Sequence, residues 1–326
     1  QEYIDTDVFT TEEQALRDAI TAFGLDVFPV PACDRLFTDY GNAAFVAAAE
    51  SSGFTDAGFL NGLMARGTPV FLVHEALERA GGNWTLTYAG ASQWLTVDAA
   101  ADFLSGYDTG VRFQVQSGGP KVTAATPAGS SALPGWIPLA HSVEPAAGQE
   151  YQSAFSRQRS CALSYDPAHL TGEGAVVLRR VLRFLTGQED VPEVTVPEGR
   201  AALLVTDYTD PDALTPREQA LADKMTAFGL TVFRVPRGER FFADYSGAAF
   251  VAAAEAAGFS DADFLQGLLD AGTPLLLVHE ALERLGGNWS ASMSGASRWL
   301  EVDAAAGFLG TYDIGSRFEA QSGGAR

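Results

Sequence analysis

The sequence predicts an α/β protein with a parallel sheet between layers of helix. Three observations predict it: short apolar runs alternate with helical patterns, the chain repeats itself, and its composition is that of a folded protein. Of 326 residues, 47% are hydrophobic and 19% charged, with 34 Gly and 15 Pro. These values lie far from disordered or collagen-like chains. No apolar run reaches the roughly 18 residues of a membrane helix, so no membrane insertion is expected. The net charge of −20 repels phosphate backbones and argues against nucleic acid as a partner. The only lysines are Lys121 and Lys224; this acidic, Lys-poor composition suits a GC-rich bacterium.

Self-similarity organises the chain. TAFGLDVFPV at Thr21–Val30 returns as TAFGLTVFRV at Thr226–Val235. DYGNAAFVAAAE from Asp39 returns from Asp244 as DYSGAAFVAAAE, and GTPVFLVHEALERAGGNW, ending at Trp84, returns as GTPLLLVHEALERLGGNW, ending at Trp289. The offset is always 205, which predicts a tandem repeat of that period. The expected organisation is a first α/β repeat over 1–187, a linker over 188–199 and a second repeat over 200–326. By this alignment the first repeat lacks its first strand and the second its C-terminal part. Neighbouring chains or neighbouring repeats are expected to supply them, with a donated strand beside Leu25–Val30 or Ala43–Ala49.

One period reads as follows. Ala201–Asp207 is a short buried strand. Thr215 with Glu218 three residues later, and Pro216 between them, is a helix-opening capping box; Thr10 with Glu13 repeats it. Leu221, Met225 and Phe228 (Leu16, Ile20 and Phe23 in the first copy) make one apolar helical face, closed by Gly229 and Gly24. Leu230–Val235, Ala248–Ala254 and Leu275–Val278 read as strands, with a helix over Ser260–Ala271. Trp94–Val97, Val111–Val115, Lys121–Ala125 and Ser160–Tyr165 are further strands. Thr171 opens a closing helix faced by Val177, Leu178, Val181, Leu182 and Leu185. Arg179, Arg180 and Arg183 on that helix read as a solvated face that complements its dipole. Alternating strands and helices imply right-handed βαβ units.

This order resembles the class I glutamine amidotransferase-like superfamily, a flavodoxin-like three-layer sandwich, and within it the ThuA-like branch. The likeness is carried by ALLVTDYTDPDALTPREQALADKMTAFGLTVFRV, DAGTPLLLVHE and SCALSYDPAHLTGEGAVVLRRVLRFLTG. The resemblance implies a tight turn with a nucleophilic cysteine after the strand Pro69–Val73. Here that place reads His74-Glu75, and His279-Glu280 in the second copy. The late His and Glu partners are not matched by His141 or His169. The expectation is therefore a chain that is not an enzyme.

Other constellations are weighed on their chemistry. His74, Glu75, Tyr40 and their counterparts His279, Glu280, Tyr245 stand where open α/β sheets hold ligands, although HEALER lacks the zinc HExxH spacing. Asp5, Asp7, Asp207, Asp210 and Asp212 follow the first strand and offer oxygens for Ca²⁺, with helix capping the competing reading. Cys33 and Cys161, the only cysteines, are a candidate disulfide. Asn83 and Asn288 head sequons, read as Gly turns that seat a Trp. The function expected is a non-catalytic structural repeat of a secreted or cell-surface filament, adhesin or matrix protein whose partner is itself. The alternatives are a glycan or small-ligand binding module, and a divergent hydrolase using the His/Glu pair.

Overall fold

A computed structural model of the chain describes residues 8–50, 55–82, 84–87, 93–123, 125–127, 129–142, 148–256, 260–286, 298–301 and 317–321. Asp5, Asp7, Asn83 and Asn288 lie outside these residues.

Both capping boxes form. Thr10 Oγ1 accepts from the Glu13 amide and Glu13 from the Thr10 amide, opening α1 (Thr11–Ala22). Two of the four unpaired amides of a helix start are thereby satisfied. There follow β1 (Val46–Ala48), α2 (Ala57–Ala65) and β2 (Val70–Val73). Beyond them come β3 (Thr85–Thr87), β4 (Gln93–Val97), β5 (Arg112–Gln116), β6 (Lys121–Thr123) and β7 (Ala125–Pro127). The first half closes with β8 (Ile137–Ser142), β9 (Gln149–Arg157), β10 (Ser160–Leu163) and α3 (Gly172–Thr186).

Eight of these strands form one sheet in the order β1-β2-β10-β9-β8-β4-β5, with β7 also on β9. Side chains alternate across it. Phe71, Val73, Cys161 and Leu163 enter the core shared with α1 and α3, whereas Val70, Leu72 and Ala162 enter the core shared with α2. A sheet buried on both faces is the three-layer arrangement expected.

The expectation of a parallel sheet holds only in part. β1, β2 and β10 run parallel, but β9, β8, β4 and β5 add an antiparallel arm. Its origin is a two-residue hairpin. Ser160 pairs with Arg157, so the loop is Gln158-Arg159, and Gln158 takes φ 55°. Such loops favour Asn-Gly or Asp-Gly, and Gln-Arg gives no such signal in the sequence.

The second sheet is parallel throughout. β11 (Val194–Thr195) precedes β12 (Arg200–Leu204), α4 (Pro216–Ala227), β13 (Val232–Val235), β14 (Ala243–Asp244), β15 (Ala248–Ala253), α5 (Ala262–Asp270) and β16 (Leu275–Leu277). The order is β13-β12-β15-β16, with β11 paired to β14. Ala202 and Leu204 face the α5 side, and Ala201 and Leu203 the α4 side. The stretch 188–199 is packed: Val196 is buried and Glu193 pairs with Arg183 of α3. β17 (Arg298–Glu301) pairs antiparallel with β18 (Arg317–Gln321), as β3 does with β6.

Corresponding stretches diverge in strand formation. β12 lies between β13 and β15, whereas β1 is the edge of its sheet and residues 25–30 form no strand. Phe28 is exposed, while Phe233 packs against its core.

The disulfide expectation is corrected, since both thiols are free. Cys161 is buried in the core between α1 and α3, and burial pushes its thiol well up. Cys33 sits in a loop with its Sγ 3.6 Å from Asp34.

Candidate functional site

Buried charge gathers at two places. The first is the carboxyl end of β2 and β10. His74 follows β2 with φ 56°, a left-handed backbone that is costly for a residue with a Cβ. Its ring is buried beside the Pro120 backbone, and among the described residues neither nitrogen makes a hydrogen bond of full geometry. Burial holds the imidazole below its usual range, against the opposing pull of Asp166, Glu75 and Glu12. Asp166, beyond β10, bonds His169 Nδ1 at 2.6 Å and accepts from the Ala168 amide at 2.8 Å. Gln116 fastens the facing loop, accepting from the Asp166 amide and donating to the carbonyls of Gly118 and Pro120. Gly119 is required there, because a Cβ would meet the His169 ring at 2.5 Å.

Carboxylates crowd the same end. Glu50 accepts from Thr10 Oγ1 at 3.0 Å. Burial, then the neighbouring Glu12 and Glu75 carboxylates, push its carboxyl up to about 8. At the corresponding sequence positions this crowding is resolved: Arg217, 205 residues after Glu12, pairs with Glu255 at 3.0 Å and Glu280 at 3.1 Å. His279 repeats the left-handed backbone, φ 54°, but remains partly exposed.

The structure thus brings His74 and Glu75 together and adds Glu50, Glu12 and Asp166, which the sequence reading did not single out. The common signal was position, since each stands just beyond a strand end or at a helix start. Tyr40 is placed elsewhere. Its hydroxyl donates to the Arg35 carbonyl and its ring meets Phe59. Tyr245 repeats this with Arg240 and Phe264.

Of the five carboxylates in the calcium expectation, Asp207, Asp210 and Asp212 are among the described residues. Asp207 accepts from the amides of Thr209 and Asp210, Asp210 accepts from the Asp212 amide, and Asp212 pairs with Arg234. They serve their own turns, and among the described residues no three or more acidic, His or Cys groups could hold a metal ion.

The second place is the junction between α3 and the segment 237–242. Glu173, in the first turn of α3, is 2% exposed. It accepts from Tyr107 at 2.7 Å and Tyr208 at 2.6 Å, and faces Arg240 at 3.5 Å and Arg237 at 3.6 Å. Burial would raise its pKa, but the two arginines and two hydroxyls outweigh that and hold it below the usual value. Arg240 continues to Asp261 at 3.6 Å, which Arg284 also holds.

Around this core the arginines of α3 are engaged, correcting their reading as a solvated face. Arg179 forks onto Glu239 and lies over the Phe242 ring at 4.4 Å. Arg180 lies 4.4 Å over Phe241 and donates to the Phe103 carbonyl. Asp108 accepts from the amides of Ala262 at 2.9 Å and Asp263 at 2.6 Å, capping α5 from the other half of the chain. The periodic pattern of α3 displayed these arginines, but their partners lie far along the chain in sequence.

No protein-family model matches the chain, and no curated protein does. A solved structure from Thermoplasma acidophilum, assigned to a component of GMP synthase, is similar to it. The match covers 56% of this chain and 92% of that one, at 10% identity and a TM-score of 0.37. The expectation that the chain is not an enzyme is withdrawn against this finding, since the matched structure is assigned to part of an enzyme, while at this identity and TM-score the likeness gives this chain no activity of its own. The likeness is one of fold, and no catalytic residue is carried across it.

Proposed function

We propose that this chain is a serial packing module of a secreted or cell-surface filament, adhesin or matrix protein, built on the 205-residue repeat. In this reading the closing half of one unit seats on the opening half of the next. One observation carries it: Glu173 of α3 is buried against Tyr208, Arg237 and Arg240, which lie beyond the connecting stretch 188–199. Buried charge is costly unless its partners are placed around it, so this junction favours one fixed geometry over a loose tether. Fixed unit-to-unit geometry is what a chain of like modules needs in order to extend regularly.

The test is urea unfolding, followed by hydrogen exchange separately in 8–187 and 200–286. The expected result is one coincident transition. Glu173→Ala should lower stability by about 3 kcal/mol or more, by stranding buried arginines, and should separate the two halves. Independent unfolding of the halves in the unaltered chain would end this reading.

A second reading, small-ligand binding at the end of β2, is favoured by the buried His74 facing Asp166, Glu75 and Glu12, with Glu50 crowded by the last two. It expects a ligand-dependent rise in melting temperature that disappears in His74→Ala.

A further inference from the structure

The second copy shows what its strand-end carboxylates hold. Glu255 and Glu280 share the guanidinium of Arg217, at 3.0 Å and 3.1 Å. Their counterparts 205 residues earlier are Glu50 and Glu75, and Glu12 takes the place of Arg217. The frame around these groups is the same in both copies. Thr215 Oγ1 donates to Glu255 at 2.9 Å, and Thr10 Oγ1 donates to Glu50 at 3.0 Å. Each threonine also opens its helix with a capping box. Arg284 Nε donates to the Glu255 carbonyl, and Arg79 Nε to that of Glu50.

The first copy thus keeps both acceptors and replaces the donor with a third carboxylate. Glu50 is 7% exposed, and Glu12 and Glu75 both press on it. Among the described residues, no Lys or Arg forms an ion pair with Glu12, Glu50 or Glu75. Nearby cations are engaged elsewhere: Arg79 holds Asp56 at 2.8 Å, and Arg17 lies over the Phe9 ring and beside Asp18. His74 does not supply the charge, because burial disfavours its imidazolium. Buried carboxylates without a cation suffer both desolvation and mutual repulsion.

The chemistry of the missing cation follows from the donor set. Among the described residues no three or more acidic, His or Cys groups could hold a metal ion. Calcium needs about six converging oxygens, whereas a planar guanidinium spreads five N–H donors over a fork and reaches separated carboxylates. Arg217 does this one period later.

We propose that the end of β2 in the first copy binds the guanidinium group of a small ligand, held by Glu50 and Glu75 as Arg217 is held by Glu255 and Glu280. The proposal rests on the small-ligand reading above and names the chemistry of that ligand. Glu12, beside Glu50, offers the ligand an acceptor that the second copy lacks. The second copy carries its own guanidinium and serves as the internal control.

The test is isothermal titration calorimetry on the full chain at pH 9, where Glu50 is ionised, with n-propylguanidinium, N-acetylarginine amide and n-butylammonium. Both guanidinium probes should bind saturably, about tenfold or more tighter than butylammonium. Glu75→Gln should weaken binding by about tenfold or more. Glu12→Arg, which places the guanidinium on the chain itself, should abolish binding and raise the melting temperature. Arg217→Glu, at a partly exposed position, should open a second site. No saturable heat from either guanidinium probe, equal affinity for butylammonium, or binding that survives Glu12→Arg would overturn the proposal. Tighter binding of N-acetylarginine amide supports the site with an arginine derivative as its ligand, and tighter binding of propylguanidinium supports it with a simple guanidine. If neutral or anionic compounds give a His74-dependent rise in melting temperature while both guanidinium probes give no heat, only this proposal fails. If no compound of any charge gives that rise, the ligand reading fails with it.

Discussion

The segments 34–37 and 239–242 correspond in sequence yet differ in what surrounds them. Asp-Arg-Leu-Phe projects two apolar side chains into water, while Glu-Arg-Phe-Phe closes over α3. Each arginine is held by an aspartate that also holds a second arginine. The local constellation therefore forms in both places, and the cover of a helix is an addition that one place has.

The sharpest way to break this comparison is one substitution made twice. Phe242→Ala should cost about 3 kcal/mol or more in urea unfolding, because a buried ring beneath two guanidiniums is replaced by a void. Phe37→Ala should change stability by no more than about 0.5 kcal/mol, since that ring is already in water. Equal losses at both positions would mean that the two faces are equally covered in solution.

A smaller effect is expected at the cap donated across the junction. Asp108→Ala removes the carboxylate that accepts from the first-turn amides of α5 and should cost about 1 kcal/mol. The loss should appear as faster hydrogen exchange in the first turn of α5, with α2 unchanged.

A pH profile contrasts the two strand ends. The Glu50 carboxyl, pushed up to about 8 in the folded chain, is protonated at pH values where the unfolded carboxyl, near 4.5, is ionised. The folded state binds the extra proton, so this contribution to stability is full below pH 4.5 and is lost as pH rises through about 8. Glu12→Arg, which places in the first copy the residue found at Arg217, should bring the Glu50 carboxyl back toward its usual range. Melting temperatures measured across this window should then vary less with pH than those of the unaltered chain. An unchanged slope would assign the shift to burial and Glu75 without Glu12.

Much of the fold was legible in short-range patterns. The capping boxes at Thr10 and Thr215, the apolar face of α3 and the runs at β2, β12 and β16 need only their own neighbours to be recognised. The antiparallel arm was not legible, because its hairpin turns on Gln158-Arg159 without a turn residue that announces it. At the site, His74 and Glu75 were visible as a pair beyond a strand. Glu50, Glu12 and Asp166 were not, since three separate segments bring them to one strand end. Nor was Glu173, which reads as an ordinary first-turn acid favouring a helix N-terminus.

From the sequence alone came the alternation of strands and helices, the 205-residue correspondence and the helix boundaries, because these depend on backbone preferences and periodicity within a few turns of chain. Only the tertiary structure decided that the thiols stay apart, that the arginines of α3 are engaged by Glu193, Glu239, Phe241 and Phe242, and that Leu36 and Phe37 face water. The reason is physical: burial and ion pairing depend on which segments meet across long loops, and neither composition nor local propensity encodes that meeting.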